Sequence, residues 1–114
     1  MDRAQIGQHC LTLPAVTLDH AFGPGHDVYR VGGKMFAMVG VAGGLSFKAT
    51  DIAYEVLTET GRAESAPYLA RAKWVHLADP DIWEPDDLAD HLTTAHAIIS
   101  ARLTRKIRTS LGLA

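Results

Sequence analysis

Val28-Tyr29-Arg30-Val31-Gly32-Gly33-Lys34-Met35-Phe36-Ala37-Met38-Val39 is the stretch that decides the fold. Two runs of β-formers flank a pair of glycines, and two adjacent glycines tolerate the positive φ angles of a two-residue hairpin turn. The spacing predicts an antiparallel hairpin in which Val31 faces Lys34 and Tyr29 faces Phe36. On that register Tyr29, Val31, Phe36 and Met38 share one face, and Val28, Met35, Ala37 and Val39 the other. Both faces are substantially apolar, so the hairpin is expected near the middle of a sheet and at least partly covered on both sides.

Working outward, Gly40 to Gly44 makes a second turn into Leu45-Ser46-Phe47-Lys48-Ala49. Its alternation describes a half-buried strand with Lys48 on the other face. On the N-terminal side, Asp2 and Gln5 form a capping-box pattern ahead of Ile6, Cys10 and Leu13, and Pro14 ends that helix. Beyond the third strand, Thr50 or Asp51 caps a helix carrying Ile52, Val56 and Leu57, and Gly61 stops it. Residues 61–72 read as loop, Trp74 to Ala78 as a further strand, and Asp79-Pro80-Asp81 as a turn. Pro85 opens a long helix with Asp86 and Asp87 at its positive end, and Leu88, Leu92, Ala95, Ile99 and Leu103 form its apolar stripe. Thr104 caps or kinks the continuation through Ile107 and Leu111 to Gly112.

The 114 residues, 47% hydrophobic and 21% charged, suit one globular α+β domain spanning 1–114. The longest apolar run, Met35 to Leu45, falls far short of the roughly 20 residues that cross a bilayer. Met1-Asp2-Arg3-Ala4-Gln5 lacks the basic start and apolar run of a secretory signal, and Cys10 is the only cysteine. A single thiol excludes an internal disulfide and suits a reducing compartment, so the expected location is cytoplasmic. The net charge of −2 hides an uneven spread. Acids concentrate at Asp79, Asp81, Glu84, Asp86, Asp87 and Asp90, and bases at Arg71 with Lys73 and at Arg102, Arg105, Lys106 and Arg108.

Catalytic patterns are missing where the glycines invite them. Gly33-Lys34 is followed by Met35 where a phosphate loop needs Ser or Thr, Gly23-Pro24-Gly25 lacks the third glycine of a dinucleotide fingerprint, and Gly44-Leu45-Ser46-Phe47-Lys48 lacks the closing glycine of a nucleophile elbow. His91 and His96, five apart, project about 140° from one another on a helix and make a poor clamp for one ion. His20, His26 and His76 remain a set worth testing for metal, against surface or helix-end histidines as the ordinary explanation. Asp86, Asp87 and Asp90 read as a solvated helix start. The expectation is no enzyme activity, no metal and no cofactor.

His20-Ala21-Phe22-Gly23, Val28 through Ala37, Leu45-Ser46-Phe47-Lys48, Ala66-Pro67-Tyr68-Leu69 and Lys73-Trp74-Val75 together resemble the MmcQ/YjbR-like family, from about Cys10 to Arg108. Ala21 and Thr104 stand where prolines are usual, which touches local turns more than the fold. The resemblance implies an antiparallel sheet with helices in the order α-β-β-β-α-β-β-α, similar to type III secretion chaperones and loosely to frataxin. It also implies DNA binding through a double wing of β-hairpins. If Val75 and Leu77 point inward, Trp74 and His76 share the outer face with Lys48. The expected DNA contacts are therefore Lys34, Lys48, Arg71 and Lys73 on phosphates and Trp74 as the stacking aromatic, against a Trp74 that merely caps the core. The alternative is a chaperone-like module that self-associates or binds a protein partner.

Overall fold

The computed structural model describes residues 1–67 and 69–113. In chain order it contains α1 (Arg3–Thr12), β1 (Val16–Asp19), β2 (Asp27–Val31), β3 (Lys34–Val39), β4 (Leu45–Lys48), α2 (Asp51–Glu59), β5 (Glu64–Ser65), β6 (Trp74–Leu77), α3 (Pro85–Ala101) and α4 (Arg105–Ser110). Short 3-10 turns at Ala70–Ala72 and Pro80–Ile82 flank β6. The six strands form one antiparallel sheet in the order β1-β2-β3-β4-β6-β5, with the Gly32-Gly33 hairpin near its middle.

The architecture is the expected α+β one, with one strand more than the predicted order. Val16-Thr17-Leu18-Asp19 pairs with β2 as an edge strand, and its four residues, with Thr17 and Leu18 exposed, carry little alternation to find it by. The tiny β5 lies inside the segment read as loop.

The hairpin register corrects the predicted faces. Val31 does face Lys34, but Tyr29 lies opposite Ala37, because the register shifts between Tyr29 and Arg30. Phe36 is the extra residue of a bulge on β3, and a bulge lets two successive side chains share a face. Phe36 and Ala37 are consequently both buried in the core with Tyr29, Val31 and Val39, while Met38 pairs with Val28 on the opposite face.

Helices occupy one face. The helix α3 packs on β2, β3 and β4, α1 on β1 and α3, and α2 on β5 and β6. Leu88, Leu92, Ala95, Ile99 and Leu103 are buried as the stripe requires. Local signals set the helix ends. Asp2 and Gln5 form the reciprocal capping box, Thr50 Oγ1 accepts from the Ala53 N–H, and Thr104 Oγ1 accepts from the Ile107 N–H. Pro85 stands at the start of α3. The stripe of α2 behaves differently. Leu57 is buried, yet Ile52 and Val56 are 77% and 51% exposed.

Candidate nucleic-acid interface

The sheet face away from the helices follows from register. Val28, Met38, Ser46 and His76 form one cross-strand row, and Lys48 pairs with Trp74 in a neighbouring row. The expected sharing of a face by Lys48, Trp74 and His76 is therefore correct, but the exposure assumed for two of them is not. Trp74 and Lys48 are each only 4% exposed. Trp74 anchors the loop before it: its N–H donates to Leu69 O, and its carbonyl accepts from the Ala66 N–H. An indole so enclosed is a packing element and offers no open ring for stacking. Tyr68, the other aromatic of this segment, lies outside the described residues.

Lys48 is enclosed for a related reason. Its Nζ donates to Ala72 O, tying the 3-10 turn to the end of β4. Burial, reinforced by Arg102 and Lys73, holds its ammonium below the ordinary lysine range, while Asp51 pulls the other way. Among the described residues no carboxylate forms an ion pair with it.

Lys73 follows that turn in the left-handed region, at φ 60° and ψ 40°, an unusual place for a side chain with a Cβ. Its Nζ lies 4.8 Å from the Tyr54 ring centroid. Arg71 and Lys34 are exposed. The residue that prediction omitted is Arg102. Leu103 packs against the Gly32-Gly33 turn, where a Cβ built on Gly32 would sit 2.6 Å from Leu103 Cδ1. That contact brings the C-terminal end of α3 beside the hairpin, and the influence of Arg102 on Lys48 places both cations in one neighbourhood. Sequence placed Arg102 in a basic run, but only the diagonal path of α3 across the sheet shows which end of the molecule it joins.

The histidines divide. His20 Nδ1 hydrogen-bonds His26 O and lies 3.4 Å from Asp27, and His76 Nδ1 hydrogen-bonds Ser46 Oγ at 2.9 Å. His91 and His96 pack on the core side of α3, His91 half-buried and His96 buried. His96 is 6% exposed, edge-on to Phe36 and bonded to Pro14 O, and His91 lies between Phe47 and Trp83. Burial lowers the His91 imidazole below its ordinary value. Among the described residues no three His, Cys, Asp or Glu side chains gather as a metal site. Cys10 is fully buried, which pushes its thiol up to about 12.

A protein-family model described as YjbR matches residues 11–98. The chain belongs to the YjbR family. A solved relative in fold is the crystal structure of Deinococcus radiodurans protein DR2400, whose domain is described as DUF419. It superposes with a TM-score of 0.86 at 20% identity, covering 100% of this YjbR chain and 91% of the other. At that identity the likeness concerns the fold. No curated protein matches the chain. No helix is long and apolar enough to cross a membrane among the described residues.

Proposed function

We propose that this YjbR domain is a non-catalytic DNA-binding protein that grips the phosphate backbone at the end of the sheet marked by the Gly32-Gly33 turn. The observation that carries this reading is the gathering of cations from separate chain segments. Lys34 starts β3, Arg71 and Lys73 belong to the turn before β6, and Arg102 ends α3 against the hairpin. Among the described residues none of the four is in an ion pair. The acidic start of α3 lies about 24 Å along the helix from Arg102, at roughly 1.5 Å per residue. That exceeds two screening lengths of about 8–10 Å, so Asp86 weakens the attraction of Arg102 for phosphate only slightly, whereas Asp51, which acts on Lys48, and Asp90, which lines a surface hollow with it, reduce the positive potential at that side of the pole. Lys48 supports the loop that displays Arg71 and Lys73, and Trp74 supports its base. Both act beneath the interface.

Absence of catalysis fits the site chemistry. Two pairs set a hydroxyl against an imidazole at 2.9 Å, Ser46–His76 and the exposed His9–Thr93, but Ser46 is 5% exposed and no described carboxylate hydrogen-bonds either imidazole to orient it.

A second reading, a protein-interaction module, rests on Ile52 and Val56. They stand one turn apart on α2 and are unpartnered. A mobility-shift assay with duplex DNA at low salt, run beside sedimentation of the protein alone, separates the two. DNA binding predicts a retarded complex from a monomeric protein. The interaction reading predicts no retardation together with self-association that Ile52→Ser abolishes.

A further inference from the structure

His96 and Ser100 stand one turn apart on α3, and Ala97 and Ala101 repeat that spacing beside them. The four residues form one wall of a hollow of about 320 Å³, which Arg108 and Leu113 close from the α4 side. The two alanines keep it open. Leu103, held on Gly32, fixes the bend between the helices, and the Leu113 N–H donates to Arg108 O at 2.8 Å, so the far wall is tied to α4.

This hollow gathers polar groups that the protein itself leaves unused. Three side-chain atoms among the described residues are buried without a hydrogen-bond partner, and two of them, Ser100 Oγ and Arg108 Nε, belong to its lining. Such atoms are rare, because each gives up hydration and receives nothing in exchange. The Arg108 guanidinium is in no ion pair among the described residues either, and no Asp or Glu lines the hollow. His96 is 6% exposed, and its Nε2 donates to Pro14 O, which holds the ring as the inner wall. The carbonyls that end α3 do not oppose a negative guest. Ile99 O and Ser100 O already accept from the Arg102 and Leu103 N–H groups, and Arg102, Arg105 and Lys106 add positive charge around the bend.

We infer that this hollow binds the phosphate group of a small molecule, at a site separate from the DNA-contacting pole and independent of that reading. The guanidinium supplies the charge and a fork of donors that matches two phosphate oxygens. A turn of Ser100 about its single side-chain torsion brings the hydroxyl to a third oxygen, and the neighbouring alanines leave room for it. His96 lies below the protein surface and sets the depth. The guest is therefore a terminal phosphate that can be inserted, whereas a backbone phosphate of duplex DNA is flanked by sugars on both sides.

The test is a titration of the isotope-labelled protein with inorganic phosphate at constant ionic strength, followed by amide chemical shifts. Amides of residues 96–113 are expected to shift and saturate with a dissociation constant of about 1 mM or below, and acetate should leave them in place. The shifts should persist when Arg71→Ala and Lys73→Ala remove two cations of the pole. Arg108→Gln should weaken binding at least about tenfold, the scale of one charge-assisted hydrogen bond. Ser100→Ala should also weaken it while holding or raising the thermal midpoint without phosphate, since it deletes a hydroxyl that the folded protein leaves unbonded. A serine with a merely structural role would change stability and leave the affinity alone. Absence of saturable shifts in residues 96–113 overturns the site, and shifts confined to Lys34, Arg71 and Lys73 overturn it while leaving the pole standing. An equal response to acetate, or full affinity in folded Arg108→Gln and Ser100→Ala proteins, overturns phosphate as the guest of this hollow. Displacement of the phosphate by a short duplex would assign the hollow to DNA and overturn the small-molecule source.

Discussion

Leu103 sits on Gly32: a methyl group at Gly32 would lie 2.6 Å from Leu103 Cδ1 and 2.8 Å from Cδ2. This contact joins the far end of the last long helix to the central hairpin, and it makes the two turn glycines unequal. Both have positive φ, 58° at Gly32 and 80° at Gly33, but nothing lies within 4 Å of a Cβ at Gly33. Gly33→Ala should cost about 1–2 kcal/mol, the ordinary penalty for a left-handed residue. Gly32→Ala adds overpacking against Leu103 and should cost about 2–4 kcal/mol. Urea denaturation of both variants checks the difference, and equal losses would mean that α3 does not rest on the turn.

Lys48 and Trp74, paired across β4 and β6, should respond as buried residues. Trp74→Ala is expected to destabilise by about 3–5 kcal/mol. Lys48→Met keeps the volume and removes an ammonium that no described carboxylate pairs, so stability should change by less than about 1 kcal/mol. The freed Ala72 carbonyl belongs to an exposed residue and can turn to water. Lys48→Ala leaves a void and should lose about 1–3 kcal/mol. Denaturation midpoints decide, and a Met variant as damaged as the Ala variant would show that the ammonium itself holds the loop.

Acid should weaken the fold through His91. Burial depresses its folded pKa below the 6.5 of a free imidazole, with Arg62 acting in the same direction and Asp87 against it. Between those two values the unfolded chain binds more protons than the folded one, so stability is full above about pH 6.5 and falls as pH drops toward the depressed folded value. The thermal midpoint should therefore decline between pH 7.5 and 5, and His91→Gln should flatten that decline. An unchanged pH dependence in the variant would remove His91 from the account.

Much of this fold is legible in the chain because local chemistry and tertiary need agree. The Asp2–Gln5 capping box, Pro85, the Gly32-Gly33 turn and the α3 stripe each state one structure and receive it. What escapes is set by non-local contact. The bulge at Phe36 carries no residue signal, since Phe is at home in a regular strand, and one extra residue moved Ala37, Met38 and Val39 to the faces opposite those expected. The site was legible as a list of cations and much less so as a surface. Alternation correctly put Lys48 and Trp74 on the outer face, but their burial comes from the 69–73 loop folding back over them, with the Trp74 N–H on Leu69 O, the Ala49 N–H on Lys73 O and Lys73 in the left-handed region. Arg102 belongs to the same end only because α3 crosses the sheet diagonally from His91 over Phe47 to Leu103 over Gly32.

The most direct measurement is the salt dependence of binding to a fluorescent DNA duplex, because phosphate contacts release counterions in proportion to their number. Four contacts, from Lys34, Arg71, Lys73 and Arg102, predict a slope of log K against log salt of roughly −3.6, or on the order of a hundredfold weakening between about 50 and 200 mM. Arg71→Ala with Lys73→Ala should bring the slope to about −1.8 at nearly unchanged stability, whereas Asp86→Asn with Asp87→Asn should leave it near −3.6. A folded protein that forms no complex at low salt, or a slope that the Arg71 and Lys73 replacements do not move, would contradict phosphate binding at this pole.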